Sequence, residues 1–191
     1  GAQTVPPVEW QKCLGGTGFD YGNDCLQTSD GGYMIIGNGT SNDGDITGNH
    51  GAADIWIVKL NVLGTIEWQK TYGGSGHEFS PKISKTPDGG YIFICISNSV
   101  NGDVTGNHGM MDIWVVKIDA AGTMQWQKSL GGSNDEYSGS IKTTTDGGYI
   151  LAGYTFSSNG DVTGNRGNGD AWVVKLALSG AVVWTKCYGG A

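Results

Sequence analysis

The chain is short of cations. Lysine and arginine together number 11 against 18 acidic residues in a chain of 191, a formal net charge of −7, and Arg166 is the one arginine. An acidic chain has no electrostatic hold on phosphate backbones, so no nucleic acid partner is expected. Long apolar runs are missing as well. None approaches the roughly 18 residues of a membrane helix, so no membrane insertion is expected. No stretch carries a helix-length 3.6-residue period, and no glycine-rich phosphate loop opens a helix. Proline numbers only four. Cys13, Cys25, Cys95 and Cys187 contain no CxxC pair, which leaves zinc and thioredoxin-like chemistry without support. They read as small buried hydrophobes, with a bridge between Cys13 and Cys187, within or between molecules, as the alternative. The chain opens on Gly1 and Ala2 rather than Met, as a processed or cut chain would.

Glycine is abundant instead, at 35 residues, and the sequence repeats. Trp10, Trp68, Trp126 and Trp184 stand 58 residues apart, and "GGY" recurs at Gly31, Gly89 and Gly147. A fixed period of this size signals an array or a propeller. Residues 1–191 therefore read as one repeat array, with units of about 10–67, 68–125 and 126–183 and an extra terminal strand at 184–191. Each unit resolves into four short β-rich runs bounded by Gly or Asp, such as "PKISKT", "YIFICIS", "IWVVKID" and "TMQWQKSL". Glycine in "DGG" and "AAG" supplies the positive φ that hairpin turns need. The expected fold is all-β: tandem four-stranded antiparallel blades, β-propeller-like, three blades plus one extra strand. A β-prism, three four-stranded sheets about one axis, is the alternative.

The strand-four signature "W-x-K" occurs four times and the other strands three times. Three blades leave long edges unpaired, so self-association through open blade edges is expected, as a slice of a longer array or a protomer of a multi-chain ring. With seven Trp and eight Tyr there is material for a core between blades.

These units resemble a repeat family of secreted and surface proteins common in Bacteroidetes. The matching stretches are "DGGYILAG" (146–153), "DVTGNHGMMDIWVVKID" (103–119) and "GTMQWQKSLGGSNDE" (122–136), and all three units follow the pattern. The resemblance implies export to the cell surface or medium and propeller-like blades, and no activity. The "TxDGG" turn is also similar to the Asp-box hairpin of sialidases, but their arginine set cannot exist here.

Three readings compete for the thrice-written loop "NDGDITGNHG". In the first, Asp, Asn and Thr satisfy the loop's own backbone and no ligand is needed. In the second, the loop binds calcium. Oxygen donors recur at positions 1, 3, 5, 7 and 12 with Gly at 6, as in an EF-hand loop. The candidate ligands are Asp43, Asp45, Thr47, Asn49 and Asp54; Asn101, Asp103, Thr105, Asn107 and Asp112; and Asn159, Asp161, Thr163, Asn165 and Asp170. In the third, this end of the fold binds a glycan or protein. Aromatic rings would stack on sugars while acids and amides bond the hydroxyls. The candidates are Asp20, Tyr21, Glu78, Phe79, Glu136 and Tyr137, with His50, His108 and Arg166. The expected role is non-catalytic binding or surface display. The alternatives are a calcium-stabilised carbohydrate-binding propeller and a glycan hydrolase using acids such as Glu78 and Glu136. The second is disfavoured because those acids belong to the repeat.

Overall fold

A computed structural model describes residues 7–190 of the chain, and among them it contains strands and no helix. The first sheet holds β1 (Asp20–Gln27), β2 (Tyr33–Gly39), β3 (Asp54–Leu60) and β4 (Ile66–Tyr72). The second holds β5 (Glu78–Lys85), β6 (Tyr91–Ser97), β7 (Asp112–Ile118) and β8 (Met124–Leu130). The third holds β9 (Glu136–Thr143), β10 (Tyr149–Thr155), β11 (Asp170–Leu176) and β12 (Val182–Tyr188). Each sheet is a simple antiparallel meander in chain order, the blade-like arrangement expected from the repeat.

The sheets keep the 58-residue phase, but their boundaries do not fall at the tryptophans. Trp68 lies in β4 and closes the first sheet, and Trp184 lies in β12 and closes the third. Residues 184–188 are thus an integral strand. The surplus copy of strand four is the N-terminal one, around Trp10. It has no equivalent of β3 beside it to accept its hydrogen bonds, so residues 7–19 form no strand.

The turns explain themselves locally. In the β1–β2 turn the Thr28 hydroxyl donates to Asp30 Oδ1 at 2.5 Å, and the same oxygen accepts the Gly32 amide at 3.0 Å. Thr86–Asp88 and Thr144–Asp146 repeat this lock. The buried Lys59 reaches from β3 to Asp30 at 2.9 Å and to Glu67 at 2.7 Å. Lys117 and Lys175 do the same to Asp88 and Asp146. A buried ammonium is tolerated because several acceptors surround it.

Two apolar cores lie between successive sheets. Met34, Ile36, Ile55 and Ile57 of the first sheet pack on Phe93, Trp114 and Val116 of the second. Ile92, Ile94, Ile113 and Val115 on the other face of the second pack on Leu151, Trp172 and Val174 of the third. Every residue of β6 and β7 is buried, because this sheet is covered on both faces. A prism would enclose one core shared by three sheets. Here the faces stack in series, which excludes that alternative. The inner strands β1, β5 and β9 lie side by side, with Ile83 N donating to Asp24 Oδ2 at 3.2 Å.

Tryptophan marks each seam twice. The strand-four ring of one blade rests on the outer-turn glycine of the next: Trp68 on Gly122 and Trp126 on Gly180. A Cβ on either glycine would stand 3.0 Å from the ring, so any larger residue pushes the blades apart. The Tyr72 hydroxyl adds a hydrogen bond to the Gly122 carbonyl. Trp10 occupies the same position on Gly64, although it belongs to no sheet. The strand-three tryptophans are core residues. Trp56 Nε1 donates to Gln69 Oε1 at 3.1 Å and Trp114 Nε1 to Gln127 Oε1 at 2.7 Å. In the third blade Thr185 stands in place of this glutamine, and the buried Trp172 Nε1 has no acceptor.

The four cysteines are free thiols. Cys95 is buried as expected, Cys13 and Cys25 are exposed, Cys187 is half-buried, and Cys13 and Cys187 are not joined within the chain. Replacing Thr185→Gln should supply the missing acceptor for Trp172 and raise stability by about 1 kcal/mol in urea unfolding. No gain would show that the indole is already satisfied.

Candidate functional site

The β2–β3 loops and the links between blades emerge at the same end of the stack, because β2 and β4 both run toward it. This is the end where the repeated acids and amides converge. Glu78 opens β5 and is fully buried. Its Oε1 accepts the Ser97 hydroxyl at 2.6 Å and its Oε2 the Gly74 amide at 2.9 Å. Glu136 repeats the pattern with Thr155 at 2.6 Å and Gly132 at 2.8 Å. Asp20 holds Ser41 at 2.7 Å and the Gly16 amide at 2.8 Å from a half-buried position. Gly73 is required beside this acid, since a Cβ there would lie 2.4 Å from Glu78 Oε2 and 2.6 Å from Asp54 Oδ1.

The long loop uses its side chains the same way. Asp43 accepts the Thr17 amide and hydroxyl at 2.8 and 2.9 Å, which lowers its pKa. Asn101 accepts Ser75 N and Asn159 accepts Ser133 N, at 2.8 and 2.9 Å. Asp45, Asp103 and Asp161 accept the amides of Gly15, Gly73 and Gly131. Each loop thereby straps down the link that enters its own blade. Thr47 accepts Gln69 Nε2 at 2.5 Å, Thr105 accepts Gln127, and Thr163 lies 3.5 Å from Thr185. Asn49, Asn107 and Asn165 donate to the carbonyls of Gly39, Ser97 and Ser157. Asp54 Oδ2 accepts both the amide and Nδ1 of His50, at 2.7 and 2.6 Å. Asp112 holds His108 identically, and Asp170 holds the Arg166 amide at 2.9 Å.

Burial raises the pKa of Asp54 and Asp112, and the bonds from His50 and His108 pull against it. The second oxygens of Asp54, Asp112 and Asp170 receive no hydrogen bond from the protein. At the second seam His108 lies between two acids, with Nε2 3.8 Å from Asp161 of the next blade.

The fifteen side chains offered as calcium ligands each have a polar partner within the protein. At position 12 one oxygen of each Asp is taken by the histidine or arginine four residues before it, and the other has no protein partner. Among the described residues no three His, Cys, Asp or Glu side chains are placed to hold a metal ion.

The aromatic members of the expected ligand face divide. Tyr21 is exposed, while Phe79 and Tyr137 are half-buried. The third blade carries two further rings that the repeat pattern did not single out, Tyr154 and Phe156, both exposed. Tyr137 and Tyr154 stack with centroids 4.8 Å apart and an interplanar angle of 8°, and Phe156 stands edge-on to both. The equivalent positions are Asn38 and Thr40 in the first blade, Ile96 and Asn98 in the second. Desolvation, with Asp135 and Tyr154 nearby, raises the pKa of the Tyr137 hydroxyl. The sequence held the signal as a departure from the period at two positions.

No protein-family model matches the chain, and no curated protein matches it. Among solved structures, a protein of unknown function from Bacteroides caccae is 12% identical, over 88% of this chain and 68% of that one, with a TM-score of 0.33. A mutant of the Synechocystis apocarotenoid oxygenase is 14% identical, over 85% of this chain and 37% of that one, with a TM-score of 0.45. Likenesses this distant assign no function.

Two outcomes follow for solution conditions. Asp88 is held down to about 2 by the Thr86 hydroxyl and by Lys117, and Asp30 and Asp146 are held lower still by Thr28 and Thr144 and the matching lysines. A folded-state value below the unfolded one stabilises above about pH 4 and is lost as pH falls toward 2. Urea midpoints should drop across that window, and Asp88→Asn should reduce the slope. Because the loop oxygens are already engaged, millimolar calcium against EDTA should move the melting temperature by less than about 1 °C. A rise of several degrees would show that they do gather around the ion.

Proposed function

We propose that the chain is a non-catalytic repeat module of an exported protein, working by binding or surface display. One observation carries this reading: the acids that could have done chemistry are spent on scaffolding. Glu78 and Glu136 are fully buried, with both oxygens of each engaged by hydroxyl and amide donors. A general acid or nucleophile must reach its substrate. Export is supported by the resemblance of the units to surface-protein repeats.

A glycan is the ligand favoured by a second observation. Tyr154 and Phe156 interrupt the repeat at the loop end of the third blade and gather around the repeated Tyr137, beside Asp135 and Asn134. Ring faces next to acids and amides suit a sugar's apolar face and its hydroxyls. Retention on a glycan array, with loss of most of it in Tyr154→Ala and Phe156→Ala, is the expected result. Turnover of a glycan that disappears in a folded Glu136→Gln variant would replace binding with hydrolysis.

A further inference from the structure

We infer that the open face of the third blade and the outer face of the first, which the N-terminal segment covers in part, are two halves of one more blade seam, and that a second copy of this chain docks there head to tail. The seams inside the chain supply the template. At the second seam Ile92, Ile94, Ile113, Val115 and Leu130 of one sheet meet the next. Their equivalents on the third blade are Ile150, Ala152, Ala171, Val173 and Tyr188, with Ala152, Ala171 and Tyr188 exposed. The facing half exists on the first blade, where Trp56, Val58 and Leu60 stand for the buried Trp114, Val116 and Ile118. The two open surfaces therefore differ in shape, and each resembles what the other's internal counterpart already covers. Such a contact is heterologous, tail of one copy to head of the next.

Charge complements the apolar match. Inside the chain, His108 of one blade approaches Asp161 of the next. At the open ends the corresponding pair is Arg166 on the third blade and Asp45 on the first. Arginine in place of histidine gives this seam a permanent cation opposite an acid.

The N-terminal segment competes for the same place. Trp10 rests on Gly64 as Trp68 rests on Gly122, and it meets Tyr33 edge-on at 5.6 Å. Leu14 packs on the core of the first blade. In a docked pair, Trp184 of the incoming copy, now 40% exposed, would take the position of Trp10. The segment pairs with no strand, so it is a displaceable plug. It covers the face only in part, leaving a cavity of about 270 Å³ between Trp10, Leu14, Ile35 and Trp56. Alanines at 152 and 171 make the new seam shallower than the internal ones, so the contact is weak while the plug is in place.

Sedimentation of the full chain tests this inference, whatever ligand the module binds. The unaltered chain should leave its 20.0 kDa monomer mass at high concentration. Trp10→Ala, which loosens the plug, should tighten the association by about tenfold. Arg166→Asp should weaken it by a similar factor, and combining it with Asp45→Arg should restore it, because the charges are again opposite. Cooperative urea unfolding would show that each variant folds. A monomer up to about 1 mM in both the unaltered chain and Trp10→Ala would overturn the inference. So would association that Arg166→Asp leaves unchanged, the mark of a symmetric edge-to-edge dimer.

Discussion

The fold depends on how one blade closes on the next. A tryptophan at the outer edge of each sheet settles on a glycine in the neighbour's outer turn, and two layers of aliphatic side chains fill the space inward from it. The ring supplies a large apolar surface, and the glycine lets it approach the backbone. The period of 58 residues is the length of chain needed to build one blade and bring the next tryptophan to the next glycine. Sheets with one buried face are marginal alone. Stacking gives the middle sheet two covered faces and buries its central strands throughout, with Lys117 reaching out to an acidic turn and Ser97 and Asp112 at the loop end.

At the loop end, polar groups take over the same task. Each link between blades passes through a set of buried or half-buried carboxylates and amides belonging to the blade it enters. An acid buried there is stable because several donors converge on it, and those donors are backbone amides that would otherwise lack partners. The carboxylates thus fix the path of the links as the tryptophans fix the sheets. Against this interior use of acids, the aromatic cluster of the third blade is exposed and irregular.

Much of this architecture could be read from the residues. The tryptophan period, the four runs per unit and the glycine turns give the sheets and their order, since spacing and turn chemistry are local properties. That the long loop's Asp and Asn bond backbone groups was readable, because these residues next to Gly suit that use wherever they occur. Which of the two terminal copies of strand four is surplus was not readable. Trp10 and Trp184 carry the same signature, and only pairing with β11 makes one of them a strand. Nor was the burial of Glu78 and Glu136, which face Ser97 or Thr155 across the adjacent strand of their own blade rather than a partner in their own segment. The EF-hand-like spacing at Asp43 to Asp54 counts oxygens, but it does not state which of them the loop's own amides engage. Tyr154 and Phe156 were hidden for the opposite reason: attention to what repeats passes over what does not.

The central claim is that the repeated acids are structural members between blades. Amide hydrogen exchange tests it most directly. The amides of Gly74 and Gly132, which donate to Glu78 and Glu136, and those of His50 and His108, which donate to Asp54 and Asp112, should be protected to nearly the level of the β6 and β7 amides, although all four lie outside strands. Exchange at these four sites as fast as in an open loop, with the strands still protected, would contradict it.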